Sequence, residues 1–357
     1  MTTSPGTASG GPPAELSARQ EQILGAVVES FIASGTPVGS RHIAGTHGID
    51  FASSTVRYEL ARLEELGYLS HPHTSAGRVP TDRGYRYYVD RLVPRGGGAL
   101  VPGDALATAV DLGEMRTEVE GTLQRLADAI SELTSLLGVV TAPVTRIATI
   151  RHVEVLQLQP QLVTVVVITS TGSVSKRIIA FDRPVDSGLV EWAKAVFNER
   201  LTGIGVGARM LDARLIDSSL SGREHEFLDA LTPALSEMAE ETSDHLFVGG
   251  RARFVAESHQ DVAAIGALME QLEERYTLLA LLRRAMSRNE VYLHIGSELP
   301  EPGLQGLSMV AANYGVARGN LGTISLFGPT RMDYRLAMST VREAAAVFSR
   351  YLEGVYE

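Results

Sequence analysis

The sequence predicts a multidomain α+β protein whose first module is helical. Apolar residues recur at helical spacing through residues 16–92, whereas β-branched and alternating runs dominate residues 152–181. Between them, a proline and three glycines at 94–98 break any continuing pattern, which predicts a domain boundary. The 357 residues suffice for about two or three domains, and a hydrophobic share of 44% is ample for packed cores.

The third predicted helix, residues 53–66, carries the chemistry of DNA recognition. Val56, Leu60 and Leu63 share one face, which predicts that this face is buried. The other faces offer hydroxyls, guanidinium groups and a phenol, which suit hydrogen bonding in a major groove. The residues predicted to reach DNA from this helix are Ser53, Ser54, Thr55, Arg57, Tyr58 and Arg62. Arg62 has a simpler alternative, which is an ion pair with Glu65 or Glu59.

Signals on both sides of this helix predict a winged helix-turn-helix domain over residues 15–94. Ser17 is expected to cap a first helix, Ser40 a short second helix, and Ser53 or Ser54 the third. After the third helix, two short strand patterns around a turn-rich loop predict a basic β-hairpin. Thr81 is expected to cap a helix that reaches Leu92 and braces the hairpin with aromatic residues. The residues expected along the DNA backbone are Ser40, Arg41, His73, Thr74, Ser75 and Arg78.

The rest of the chain alternates between helix and strand patterns. A long amphipathic helix is predicted over 104–138, and an antiparallel sheet over 152–158, 162–169 and 173–181. A helix over 187–201, capped by Ser187, follows. Strands are predicted at 291–296, 307–314 and 322–327, and a closing helix at 333–351. Such a sheet flanked by helices is typical of an α+β sensor-like module.

Two stretches resemble a known family. The runs STVRYELARLEELG and PHTSAGRVPTDRGYRYYVD resemble the heat-inducible transcription repressors of bacteria, the HrcA family. Weaker similarity continues through TAPVTRIATIRHVEVLQL and VYLHIGSE, so the resemblance covers residues 15–357. One position departs from the family pattern: Tyr58 follows the recognition-helix Arg57, where Asn is frequent.

The resemblance implies a domain organisation. Residues 1–14 would be a flexible tail, 15–94 the winged helix-turn-helix domain and 95–104 a linker. Residues 105–203 and 287–357 would form a GAF-like domain. Residues 204–286 would be a largely helical inserted region that mediates dimerisation.

The resemblance also implies a function. The chain would be a homodimeric negative regulator of chaperone operons that binds the inverted-repeat operator called CIRCE on double-stranded DNA. Heat would release it, and a GroEL-type chaperonin would restore its activity. A regulator that senses a small molecule through the GAF-like domain is the alternative, because such domains offer a concave pocket.

Charge and composition narrow the class of protein. Residues 53–95 hold seven arginines against five acidic residues, a local charge of +2 in a chain of net charge −10. The small excess predicts few phosphate contacts per subunit, so affinity would depend on a dimer. The sequence has no cysteine, no apolar run long enough for a membrane span and no secretory signal, which together favour a cytoplasmic location.

Several short patterns resemble enzyme motifs, but none predicts catalysis. The glycine pattern at 203–208 follows a predicted helix rather than a strand, and the S-x-x-K pattern at 173–176 lies on a predicted strand. His225-Glu226 lacks the second histidine of a zinc protease. His152 and Glu154 point the same way on a strand, yet no further metal ligands are evident. We therefore expect no catalytic residues, no metal and no cofactor.

Overall fold

The computed structural model describes a chain that divides into two compact units. The first unit takes in the described residues up to Val93 together with Ile295–Ser308 and Pro329–Arg335, and the second takes in the others. The described residues are 16–46, 48–72, 77–93, 106, 108, 110, 119–143, 149–170, 174–205, 215, 220–241, 245–257, 262–274, 276–285, 291–316 and 319–356.

The first unit begins with three helices and a short antiparallel hairpin. The hairpin strands pair Leu69 with Pro80 and Ser70 with Val79, and a fourth helix continues into one turn of π-helix at Tyr88–Leu92. The elements are α1 (Ala18–Ser34), α2 (Ser40–Ala44), α3 (Ser53–Glu65), β1 (Leu69–Ser70), β2 (Val79–Pro80) and α4 (Asp82–Tyr87).

Two of the predicted helix caps are confirmed. The Ser17 hydroxyl accepts a hydrogen bond from the Gln20 amide, and the Gln20 side chain accepts one from the Ser17 amide. This reciprocal pair satisfies two amides that the helix itself leaves without partners. At α4, the Thr81 hydroxyl accepts from the Gly84 amide at 3.1 Å. Both helices therefore begin where the sequence predicts.

The predicted caps of α2 and α3 are wrong. Ser40 and Ser53 are the first helical residues, and Gly39 and Ala52 hold the cap positions without a side-chain hydrogen bond. The two hydroxyls instead lie 3.4 Å apart, so each serine faces the other helix rather than its own first turn. Contact between the helices thus overrides the local capping preference of serine.

The hairpin and α4 pack closely because α4 carries a glycine at the contact. A Cβ on Gly84 would lie 2.2 Å from the carbonyl oxygen of Tyr68, so no larger residue fits there. The rings of Tyr68 and Tyr87 meet edge to face at 5.3 Å. As expected from the sequence, aromatic residues hold the helix after the hairpin in place.

Most of the second unit's strands form a five-stranded sheet of order β7-β3-β10-β9-β8. Three of these strands and the C-terminal helix begin or end with residues of the first unit, which are Ile295, residues 307–308, Pro329 and residues 334–335. One helix packs on β3 and β7, where Cβ atoms on Gly138 and Gly249 would lie 2.4 and 2.2 Å from the carbonyl oxygen of Ala127. On the C-terminal helix, the Phe348 ring meets Tyr314 of β9 at 4.9 Å. The elements are α5 (Val119–Thr134), β3 (Leu137–Thr141), β7 (Leu246–Gly249), β8 (Tyr292–Ile295), β9 (Leu307–Val316), β10 (Gly319–Pro329) and α11 (Tyr334–Tyr356).

Between β3 and β7 the chain forms a separate three-stranded antiparallel sheet of order β4-β5-β6. One face of this sheet packs on α6 and α7 around buried valines and Phe197. The elements are β4 (Ile150–Gln159), β5 (Leu162–Thr169), β6 (Val174–Ala180), α6 (Ser187–Leu201) and α7 (Gly222–Glu241), and the helices after β7 are α8 (Arg251–Glu257), α9 (Val262–Glu274) and α10 (Tyr276–Ala285). The fold is thus mixed α+β, as predicted.

Three details differ from the sequence prediction. The helix predicted to reach residue 138 ends at Thr134, because Ser135 has a positive φ of 57° and the chain continues as β3. The cap of α6 is Asp186 rather than Ser187, since its carboxylate accepts from the amides that follow. The predicted helical region 204–286 also contains a strand, β7.

None of the helices in the described ranges is both long enough and apolar enough to span a membrane.

Candidate nucleic-acid interface

Helix α3 has one buried face and one exposed face. Val56, Leu60 and Leu63 are buried, as predicted. Ser54, Arg57 and Tyr58 are exposed, and Tyr58 is 65% accessible. An exposed phenol beside a guanidinium offers hydrogen-bond donors and an aromatic ring to a partner. Among the described residues, Arg57 has no ion-pair partner.

A buried carboxylate fixes the position of this helix against α1. Glu59 is on the buried side of α3, where its Oε2 accepts a hydrogen bond from Gln20 Nε2 at 3.1 Å. Arg19 Nη1 lies 3.6 Å from Glu59 Oε1. Since Glu59 is paired with both residues, α3 is tied to the N-terminal turn of α1 and presents a defined face to solvent.

The remaining predicted residues of α2 and α3 are less exposed or already paired. Ser40, Ser53 and Thr55 are half-buried, and Arg41 is exposed. Arg62 Nη1 lies 2.5 Å from Glu65 Oε2, so the simpler alternative for Arg62 is the one found. This ion pair is itself in solvent, with the two side chains 49% and 61% accessible.

The hairpin is anchored at its base by backbone contacts. The amide and carbonyl of Arg78 both bond to Val38, at 2.8 Å each, which adds a third bridge to the β1–β2 pair. A Cβ on Gly77 would lie 2.5 Å from the Val38 carbonyl carbon, so only glycine permits this approach. The predicted contacts His73, Thr74 and Ser75 lie outside the described residues.

Glu64 is the residue that sequence reasoning missed. It lies in the last turn of α3, and its carboxylate contacts His71 Nδ1 and Arg78 Nε at the two ends of the hairpin loop. The Arg78 contact is 2.7 Å, and both side chains are about one quarter accessible, 25% for Arg78 and 24% for Glu64. Arg78, which the sequence predicts to bind a phosphate, therefore contacts a carboxylate of the predicted recognition helix.

Two arginines of α4, Arg83 and Arg86, make contacts within the first unit. Arg83 lies over the Tyr68 ring at 4.6 Å and donates to the carbonyl oxygen of Leu66. Arg86 forms a two-point ion pair with Glu298, in which Nε donates to Oε1 at 2.8 Å. Both guanidinium groups therefore contribute to the packing of α4 within the unit.

Helix α4 also binds the turn at residues 296–298. Asp82 Oδ2 accepts from the amide and the hydroxyl of Ser297, both at 2.8 Å. A Cβ on Gly296, where φ is +52°, would lie 2.4 Å from the Asp82 carboxylate. Nearby, the Tyr85 and Tyr334 rings are 5.6 Å apart, and burial raises the pKa of Tyr85 well above its ordinary value. These contacts fix one side of α4 over its whole length.

The described residues contain no cluster of three or more potential metal ligands. The pair that the sequence singled out, His152 and Glu154, forms an ion-pair cluster with Lys194 instead. Glu154 lies 2.9 Å from His152 Nε2 and 2.5 Å from Lys194 Nζ.

Comparison with known proteins identifies relatives that match most of the chain. A protein of Beutenbergia cavernae named heat-inducible transcription repressor HrcA is 34% identical over 354 residues, which cover 94% of this chain and 99% of that protein. A Nocardioides protein of the same name is 34% identical over 337 residues, covering 94% and 98%. The family model described as the HrcA protein C terminal domain matches residues 120–338. The chain belongs to the HrcA family.

Membership of the HrcA family bears on two expectations from the sequence. The resemblance noted in the sequence is confirmed. The curated HrcA relatives are named as transcription repressors, so the expectation that the chain is not an enzyme is also confirmed. A solved structure of a hypothetical protein is similar in fold, with a TM-score of 0.64 and 21% identity, covering 95% of this HrcA chain and 99% of that one.

Proposed function

We propose that this chain is a heat-inducible transcription repressor whose first unit is a winged helix-turn-helix domain that binds double-stranded DNA. The exposed face of α3 carries the proposal, because Ser54, Arg57 and Tyr58 are in solvent while the opposite face is buried. A hairpin anchored beside that helix supports it. In this arrangement α3 enters a major groove and the hairpin follows the adjacent phosphate backbone.

Individual side chains have separate roles in this proposal. Arg57 and Tyr58 contact base edges, because they are the two long side chains exposed in the N-terminal half of α3. Ser53, Ser54 and Thr55 lie near the same edges or bond to phosphate. The residues assigned to the backbone remain those predicted from the sequence: Ser40, Arg41, His73, Thr74, Ser75 and Arg78.

The repressor acts as a homodimer in this proposal. One subunit has a small excess of positive charge around α3, and two subunits double the phosphate contacts on an inverted repeat. An apolar surface suited to self-association lies on the open face of the β4-β5-β6 sheet, where Leu156, Val174 and Ile178 are exposed. This face lies outside residues 204–286, so the predicted dimerisation region stays a prediction and the sheet face is a second candidate.

Family membership supports a proposal for the DNA target and for the response to heat. We infer that the operator is the CIRCE inverted repeat upstream of chaperone operons, that heating releases the repressor, and that a GroEL-type chaperonin restores it. Such release requires only a marginally stable fold, since folded proteins are stable by about 5–15 kcal/mol. The second unit, in which we place the GAF-like domain, would carry the regulatory role in the cytoplasm.

The deciding experiment is a titration of the full chain onto a CIRCE duplex and a scrambled duplex, at several salt concentrations and temperatures. Selective binding that weakens with salt, fades on heating and is better retained with chaperonin is the expected result. Equal, weak binding to both duplexes would contradict the operator assignment. A small molecule that shifts operator affinity would favour the ligand-sensing alternative.

A further inference from the structure

Arg78 has two possible partners, the Glu64 carboxylate and a DNA phosphate. Sequence reasoning assigns Arg78 to a DNA phosphate, yet its Nε lies 2.7 Å from Glu64 Oε2. A carboxylate and a phosphate present similar oxygen pairs to a guanidinium, so they compete for the same group. While the pair is closed, the two charges cancel and Arg78 adds little attraction for DNA.

The geometry of the pair is close but not optimal. Arg78 Nε is buried, and among the described residues it has no aligned hydrogen-bond acceptor, although the Glu64 oxygen is near. The attraction is therefore mainly that between two charges rather than a directional hydrogen bond. A buried N–H without an aligned acceptor is costly, so the closed pair is less stable than a well-formed charge-assisted hydrogen bond would be.

The backbone keeps Arg78 next to Glu64. Two hydrogen bonds to Val38 fix the Arg78 main chain, and the contact of His71 with Glu64 fixes the other end of the hairpin loop. Glu64 is on α3 and so moves with the predicted recognition helix. Whenever α3 approaches DNA, the carboxylate arrives together with the guanidinium that it neutralises.

We propose that Glu64 limits the affinity of this repressor for DNA by withholding Arg78 from the phosphate backbone. The inference rests on the proposed function, because it concerns how tightly the winged helix-turn-helix domain binds. The competition is independent of base sequence, so Glu64 lowers affinity for operator and random DNA alike. A repressor that must leave its operator on heating gains from such a limit, since weaker binding makes release easier.

The test is Glu64→Gln in the full chain, titrated onto operator and scrambled duplexes at several salt concentrations. With Arg78 released, one phosphate contact is added. Affinity for both duplexes should rise roughly fivefold near physiological salt, and the slope of log affinity against log salt should steepen by roughly 0.9. Selectivity between the two duplexes should stay unchanged.

Two control variants separate this effect from general charge. Asp50→Asn removes a carboxylate charge just before α3 from an exposed side chain that no described cation pairs with, so the gain should be much smaller. In an Arg78→Gln background, Glu64→Gln should lose most of its effect, because the two residues act as a pair. An equal gain with and without Arg78 would overturn the proposal in favour of simple repulsion.

Weaker binding by a folded Glu64→Gln protein would also overturn it, because Glu64 would then be a structural brace of the hairpin. Circular dichroism and thermal melting establish that each variant is folded. Failure of the unmodified protein to bind either duplex would contradict the proposed function itself, and with it this inference. That outcome is distinct from binding that Glu64→Gln leaves unchanged, which would overturn the inference alone.

Discussion

Among single residues, Arg57 is the one on which base recognition should depend most. Arg57→Ala should cost roughly 1–3 kcal/mol of operator binding and much less on scrambled DNA. Arg62→Ala should have the smaller effect on the operator, because Arg62 is paired with Glu65. Fluorescence anisotropy with both duplexes measures this. Unchanged discrimination in the Arg57 variant would mean that α3 is not the recognition helix.

For single residues, the sequence predicts burial correctly where it depends on helical periodicity. It does not predict which side chains pair where the pairing depends on contacts between separate elements. The buried stripe Val56, Leu60 and Leu63 follows from helical spacing alone. The partners of Glu59 and Glu64 do not, since Gln20 and Arg78 are brought to them by tertiary packing. A carboxylate on a helix surface carries no sequence signal that says which distant cation it will meet.

At the level of elements, the Arg86–Glu298 ion pair should contribute measurably to the attachment of α4 to the turn at 296–298, beside the Asp82–Ser297 hydrogen bonds. Glu298→Gln should weaken it by about 1–3 kcal/mol, because Arg86 loses a two-point, charge-assisted and half-buried contact. Asp90→Asn, which removes an exposed partner of Arg86 at 3.6 Å, should cost less than about 1 kcal/mol. Hydrogen exchange of amides in 82–92 measures both. Equal protection in the two variants would contradict this ranking.

The attachment of α6 to β4 should depend on pH. Hydrogen bonds from Lys194 and His152 hold the pKa of Glu154 below its ordinary value. A carboxylate whose pKa falls on folding stabilises the fold above its unfolded pKa of about 4.3 and loses that effect as pH falls through the folded value. Glu154→Gln should therefore lower stability at pH 7, with the difference vanishing in acid. Urea unfolding followed by Trp192 fluorescence tests this, with Glu199→Gln on the exposed side of α6 as control.

Long helices and strands with a regular apolar pattern are predicted from the sequence more accurately than short ones. Strands β4, β5 and β6 alternate or are β-branched, and they form where expected. The sequence does not predict strand β3, and the predicted helix runs into its first two residues. The reason is that a short apolar run fits a helix face as well as a buried strand. Only Ser135, with its positive φ, marks the change of direction, and serine gives no sequence signal for that conformation. Pairing of β3 with β7 joins residues far apart in sequence, which no local pattern reveals.

For the whole molecule, the open face of the β4-β5-β6 sheet makes a prediction about assembly. If that face is the dimer contact, Ile178→Asp should yield monomers, because it places a charge in an apolar interface. Loss of the second subunit should weaken operator binding by roughly 100-fold or more. Val255→Asp, at an equally apolar and exposed site on α8, is the control. Sedimentation velocity measures whether each variant is a monomer or a dimer. A dimeric Ile178→Asp variant would leave residues 204–286 as the candidate interface.

A lysine on the open face of this sheet also allows its exposure to be measured by chemical modification. The chain has only two lysines, Lys176 and Lys194, and we expect them to differ in their rate of reaction with acylating reagents. Lys194 is bonded to Glu154, which raises its pKa and depletes the neutral amine that such reagents attack. Lys176 is exposed and lies in register with Val166 on the open face. The rate at which Lys176 is acetylated thus records, without any mutation, when another surface covers that face.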